Sequence, residues 1–192
     1  AILLFLGCQG SRYQWFDGTF EEASAAAAAG SKLIFLKFYT NTWAACIRLD
    51  VETLRDSLVQ TFSKENFISL KYNANEEIGN QYFKQYNCQG VPHLLFVDTE
   101  GKEVDRIIGF LPPTEYLLRI EDIVKKRNTL SDYLTRYNQG IKSANIIAAI
   151  AMKYEDRKEN EKAAEFYSML INDNKSSEYY NQGKYFLASY AF

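Results

Sequence analysis

The strongest constraint on the fold is the short run Lys32-Leu33-Ile34-Phe35-Leu36-Lys37-Phe38-Tyr39. It is β-rich and almost entirely apolar, which predicts a strand buried on both faces. Such a strand needs helices above and below it, and the flanking sequence supplies them. Phe20-Glu21-Glu22 leads into the alanine run 25–29, a strong helix former that Gly30 stops. After the strand, Thr40-Asn41-Thr42 offers N-cap candidates. A helix then carries Ile47, Val51, Leu54, Leu58 and Phe62 on one face. Phe67 to Tyr72 reads as a second strand and Glu76 to Tyr86 as another helix. Gly90-Val91-Pro92 is a turn before strand His93 to Val97, and Glu100-Gly101 turns into strand Lys102 to Ile108. A helix opens at Pro112-Pro113-Thr114-Glu115. The order α-β-α-β-α-β-β-α, closed by a hairpin, predicts an α/β fold with a mixed sheet flanked by helices.

Composition narrows the chemistry. With 47% hydrophobic and 24% charged residues over 192 positions, this is a globular chain with a sizeable core. A net charge of -2 offers no basic field to nucleic acid or an anionic membrane. One His excludes His-paired zinc sites, and no metal or cofactor is expected. It also leaves His93 as the sole imidazole base for a Ser-His-Asp or Cys-His mechanism. Three Cys are too few for a disulfide-stapled scaffold.

Trp15, Phe20-Glu21-Glu22-Ala23, the strand Leu33 to Tyr39, Trp43-Ala44-Ala45-Cys46, Gly90-Val91-Pro92 and Gly109 together resemble the thioredoxin superfamily. The likeness is to periplasmic thioredoxin-like domains related to the disulfide-interchange reductases, and it covers about residues 13–126. It implies a thioredoxin-like domain over 13–127 and a cis Pro92 facing the helix start at Trp43. A redox member of the superfamily carries C-x-x-C at a helix N-terminus, where the dipole and free N–H groups turn the first thiol into an attacking thiolate. Here Trp43 stands at the first position and only Cys46 remains. An indole cannot attack sulfur, and one thiol cannot close the internal disulfide that releases product. Six residues before Trp43, where the superfamily often has a buried carboxylate, this chain has Lys37. Its head is expected to reach water or to pair with an acid.

Cys46 has two readings, a buried inert thiol or a reactive one in the first helical turn, and the second makes it the catalytic residue. Cys88 reads as a small buried hydrophobe, and a Cys46–Cys88 disulfide is not expected. His93 is either a contact for bound peptide or, preferred, a partly exposed neighbour of the site. Trp43, Tyr39, Val91 and Pro92 are expected to form an apolar surface for a polypeptide partner, unless Trp43 folds down and plugs the groove.

At the N-terminus, Ala1-Ile2-Leu3-Leu4-Phe5-Leu6-Gly7-Cys8 reads as the end of a lipoprotein signal. Residues 1–12 are then truncated signal and linker, with Cys8 the lipid anchor. A cell-envelope or periplasmic location follows, with membrane contact only through that lipid. From residue 128 to 192 the chain reads as an all-helical segment. Leu130, Tyr133, Leu134, Tyr137 and Ile141 recur at helical spacing, as do Ile146, Ile147, Ile150 and Tyr154. Ile147, Ile150, Ala151, Tyr154, Ala163, Tyr167 and Leu170 fit either one tetratricopeptide-like helix pair or a plain helical hairpin. Leu187-Ala188 would begin a further helix, and the segment reads as incomplete. The function expected is a redox-inactive binding module. Its rivals are a single-Cys oxidoreductase using Cys46, and an assembly scaffold that binds through the tail.

Overall fold

The structure is a computed structural model that describes residues 12–173 and 175–190. The lipoprotein-type segment and Cys8 lie outside the described residues. Among these, strands β1 (Leu33–Tyr39), β2 (Phe67–Asn73), β3 (His93–Val97) and β4 (Glu103–Ile108) form one sheet in the order β2-β1-β3-β4. β1 pairs parallel with β2 and antiparallel with β3, and β3 pairs antiparallel with β4. This is a thioredoxin-like mixed sheet flanked by helices, followed by a helical C-terminal region.

Helix α1 (Phe20–Gly30) starts at a capping box. Thr19 Oγ1 accepts from the Glu22 N–H, and the Glu22 carboxylate accepts from the Thr19 N–H. The helix ends with Ser31, not Gly30, in the left-handed region at φ 52°. Its buried face consists of Ala23 and Ala27, small enough to lie close on Ile34, Leu36 and Phe38. Pleating sends Phe35 to the opposite face, where it joins Leu94, Phe96, Tyr116 and Ile120. Both faces of β1 are therefore buried, and each large side chain there contributes about 1.5–3 kcal/mol relative to exposure.

The single helix expected from residue 43 to 62 is broken. α2 (Ala44–Arg48) runs into a π-helical turn (Leu49–Thr53), and α3 (Ser57–Asn66) starts afresh. Asp56 makes the break, accepting from the N–H groups of Leu58 and Val59. Thr40, Asn41 and Thr42 do not cap α2; Trp43 holds the N-cap position without a side-chain bond. The extra residue of the π turn shifts the inward face. Cys46, Leu49, Leu54 and Val59 are buried, while Ile47, Val51 and Leu58 face out.

Helices α4 (Glu77–Gln85) and α5 (Pro113–Val124) complete the covering of the sheet. The tail consists of α6 (Leu130–Asn138), α7 (Ala144–Glu155), α8 (Asn160–Asp173) and α9 (Tyr180–Tyr190), each packed on the one before. Its core joins Ile146, Ile150, Tyr154, Phe166, Tyr167 and Leu170, with Ala148, Ala151 and Ala163 where helices cross closely. Gly183 lets α9 approach α8: a Cβ there would stand 3.0 Å from Ile171 Cγ2. Two expectations for the tail change. Ile141 lies past the end of α6 and is exposed, and Leu187-Ala188 sits inside α9 instead of opening a further helix.

Candidate functional site

The parallel and antiparallel registers bring three features to one end of the sheet. Phe38 pairs with His93, so Tyr39 and Pro92 leave their strands side by side, and the loop after Tyr39 delivers Trp43. The Gly109 N–H donates to the Pro92 carbonyl, placing the end of β4 there too. The Val91–Pro92 peptide is cis. Trp43 is 58% exposed at the mouth of α2, so it does not fold down as a plug. Ile47 and Val51 continue its exposed face at four-residue spacing. Tyr39 and Val91 are half-buried and Pro92 is buried, so the apolar surface is led by Trp43 and not by the proline. Arg48 closes its edge with the guanidinium 4.0 Å over the Phe110 ring.

Cys46 lies a turn deeper and only 1% exposed. Burial pushes its thiol up from the ordinary range; a Thr40 backbone hydrogen bond and the Lys37 ammonium act in the opposite direction without overcoming it. A buried protonated thiol is a poor nucleophile. Cys46 and Cys88 are both free thiols, and burial holds Cys88 at about 12.

Lys37 is buried on β1 and pairs with Asp50, which the π turn presents. Trp15 and Tyr39 add ring faces at 5.7 and 5.1 Å from its Nζ. Burial lowers the Lys37 pKa, and the hydrogen bond and charge of Asp50 hold it partly up. The lysine thus takes the second of its two expected routes, pairing with an acid. Asp50 escaped the sequence reading; the signal was the lysine itself, since a cation inside a buried strand requires a nearby carboxylate.

His93 departs from its expected place as a partly exposed neighbour. It is 0% exposed, on the α1 and α4 side of the sheet, with its ring edge-on to Phe83. Nδ1 lies 3.2 Å from the Gln89 N–H and 3.4 Å from the Gln89 carbonyl, and Nε2 has no partner among the described residues. Burial, with the nearby Arg106 charge, depresses its pKa to about 4. The reason is register: the side chain of the first β3 residue points beneath the loop that precedes it. A neutral, enclosed imidazole cannot touch a partner at the surface.

The charged residues concentrate elsewhere. Asp105 on β4 is fully buried and meets Lys153 Nζ at 2.5 Å, Arg157 at 3.3 Å and Arg119 at 3.5 Å. Neighbouring Arg106 pairs with Glu103 and donates to backbone carbonyls of Tyr86 and Asp156 at 3.0 and 2.9 Å. Sequence reading passed over this seam. Its signal was Asp105-Arg106, adjacent opposite charges in mid-strand, which point to opposite faces and need partners on both. A cleft of about 430 Å³ opens beside it, walled by Ile108, Leu111 and Leu118 with Arg106, Arg119 and Asp156 at one side.

The sequence matches the family described as the thioredoxin-like domain over residues 20–123, more than half of the chain. Thiol:disulfide interchange protein DsbD of Pectobacterium atrosepticum is 26% identical over 103 residues, covering 52% of this chain and 18% of that protein. The match therefore spans less than a fifth of the relative's length. A candidate disulphide-isomerase from Bacteroides thetaiotaomicron superposes with a TM-score of 0.54 at 28% identity, over 60% of this chain and 96% of that one. The DsbH oxidoreductase superposes with a TM-score of 0.51 at 22% identity, over 62% and 88%, which speaks to the fold. The family match, the β2-β1-β3-β4 order and the loop–helix junction at Trp43 agree: this chain belongs to the thioredoxin-like family, and over that domain it is similar to disulfide-interchange proteins.

Proposed function

We infer that this chain is a redox-inactive thioredoxin-like module that binds a polypeptide partner across the Trp43 end of its sheet. One observation carries the reading. The position of the attacking thiol holds an exposed indole, while the remaining Cys46 is buried with its thiol held protonated. The reacting atom is gone, and what stands in its place is a side chain suited to contact. The exposed ridge Trp43, Ile47 and Val51 supplies apolar area, and the cleft beside Ile108 extends it. The apolar run before Cys8 supports a lipid anchor and with it a place in the cell envelope; the likeness to a thiol:disulfide interchange protein supports the location alone. Fatty-acid labelling lost on Cys8→Ser supports the anchor; labelling retained in that variant rules it out.

Two other readings rest on separate features. The names of the relatives favour a thiol-disulfide oxidoreductase working through Cys46 alone, with an external thiol resolving the mixed disulfide. The helical tail, read as tetratricopeptide-like, favours an assembly scaffold, and deletion of the tail would then abolish partner capture.

The deciding assay is dithiothreitol-driven reduction of a protein disulfide by the natural chain, Trp43→Cys and Cys46→Ser. The binding-module reading expects a silent natural chain and a gain of at least about tenfold over background in Trp43→Cys, which restores C-x-x-C at the start of α2. Activity in the natural chain that disappears in Cys46→Ser makes it a single-Cys enzyme instead.

A further inference from the structure

We propose that the C-terminal end of α7 is a clamp on the loop that carries Pro92, with Gln89 and Arg106 as the positioning residues. The helical tail thereby sets the shape of the partner-facing end of the sheet. The importance of that loop for binding rests on the function proposed above; the clamp itself does not.

The clamp joins backbone carbonyls on two sides. The last carbonyls of a helix have no partner within it and carry the negative end of its dipole. At α7 these include Glu155, whose carbonyl also accepts from the Lys158 N–H at 2.9 Å, and Asp156. Gln89 Nε2 donates to both carbonyls at 3.3 Å, and Arg106 Nη1 donates to Asp156 O at 2.9 Å. On the other side lies the loop from Tyr86 to Val91, which has left-handed backbone at Asn87 (φ 49°) and Gly90 (φ 62°). Its carbonyls at Tyr86 and Asn87 accept from Arg106 at 3.0 and 3.5 Å. One guanidinium therefore ties both loop and helix end to β4. Gln89 does the same along the loop, since its N–H holds His93 Nδ1 while its side chain holds α7. Lys153 and Arg157, bound to Asp105, fix α7 against the same strand. Pro92 lies between Gln89 and His93 in the chain, so the contacts of Gln89 with α7 add a hold from the tail to those that Arg106 and the Gly109 N–H make from the sheet.

Two native thiols report on the clamp without any knowledge of the partner. Cys88 lies inside the loop, half-buried, and Cys46 is buried in α2, outside that loop. The experiment alkylates the full chain with N-ethylmaleimide at pH 8 and follows each cysteine by mass spectrometry, comparing natural protein, Gln89→Ala and Arg106→Met. Cys88 is half-buried and the closed loop shields the rest of its surface, so a rise in its rate reports how far the loop detaches, while buried Cys46 reacts only through opening of the core. Loss of the Gln89 contacts is expected to speed Cys88 alkylation by about tenfold while leaving Cys46 within about twofold. Gln89→Ala removes no buried charge, so it tests the clamp even if Arg106→Met fails to fold. Unchanged Cys88 labelling in Gln89→Ala overturns the clamp. An equal rise at Cys46 also overturns it, because the change is then global. A clamp that passes while partner binding at Trp43 fails leaves the inference standing and removes only the functional reading.

Discussion

The two ends of β1 and β4 handle buried charge in opposite ways. At the Trp43 end, Lys37 has a single acid partner, Asp50, which is 47% exposed and can be rehydrated if the pair breaks. At the seam between β4 and the tail, Asp105 is enclosed and shared by Lys153, Arg157 and Arg119. The family's chemistry would sit at the first place, yet the dense polar network sits at the second. An enclosed network fixes how two surfaces meet, because its groups tolerate no other arrangement. A half-open pair imposes no such constraint. The molecule has thus kept a permissive end, led by an exposed indole, and has placed its specificity in the join between sheet and tail.

The sharpest way to break this comparison is to remove the carboxylate at the seam. Asp105→Ala leaves buried Lys153 and half-buried Arg119 without this partner and Arg157 with Glu103 alone, and is expected to cost about 3–5 kcal/mol. Urea unfolding followed by circular dichroism measures it, as a fall in the midpoint at constant slope. A loss below about 1 kcal/mol means that the seam is hydrated and the tail only loosely docked.

The second effect is pH-dependent. His93 is held neutral when folded, with a pKa of about 4 against the model-peptide value of about 6.5. Between those values the unfolded chain binds the proton and the folded chain does not. Stability from this residue is therefore complete above the unfolded value and declines as pH falls, by about 3 kcal/mol once pH passes 4. His93→Leu lacks the titrating group, so its stability profile between pH 6.5 and 4 should be flatter than the natural one by about that amount. Parallel profiles would show that the imidazole is reached by water and titrates alike in both states.

Most of the architecture was legible in the sequence, because strands β1 and β3 are apolar on both faces and the helices between them carry clear starts and stops. The junction after Trp43 was less so. Apolar residues lie on both sides of the 43–62 segment, so periodicity alone chose the stripe Ile47, Val51, Leu54, Leu58, Phe62; Leu54 and Phe62 do face the core, while the π turn with the Asp56 cap turns Ile47, Val51 and Leu58 outward and selects their neighbours Cys46, Leu49, Val59. The missing nucleophile at Trp43 could be read from one position, since chemistry that needs a thiol fails without it. His93 could not be read, because its burial depends on register and on a loop folded over it. Nor could the Asp105 network, whose partners Lys153 and Arg157 lie about 50 residues further on, in a tail whose docking no local pattern encodes.

The smallest expected effect tests the permissive half of the comparison. Lys37→Met removes a buried ammonium and keeps most of the side-chain volume. The lysine's depressed pKa shows that burial already works against its charged form, so losing that charge also removes a desolvation penalty. What remains is Asp50, exposed enough to be hydrated at little cost, and the ring faces of Trp15 and Tyr39, which a thioether also suits. The two terms nearly cancel, and the variant should lie within about 1 kcal/mol of the natural chain, on either side. Asp105→Ala and Lys37→Met each remove one buried charge from its ion-paired partners, so the same urea experiment places them on one scale. If Lys37→Met costs as much as Asp105→Ala, Lys37–Asp50 is a second rigid join, and the Trp43 end is no more permissive than the seam.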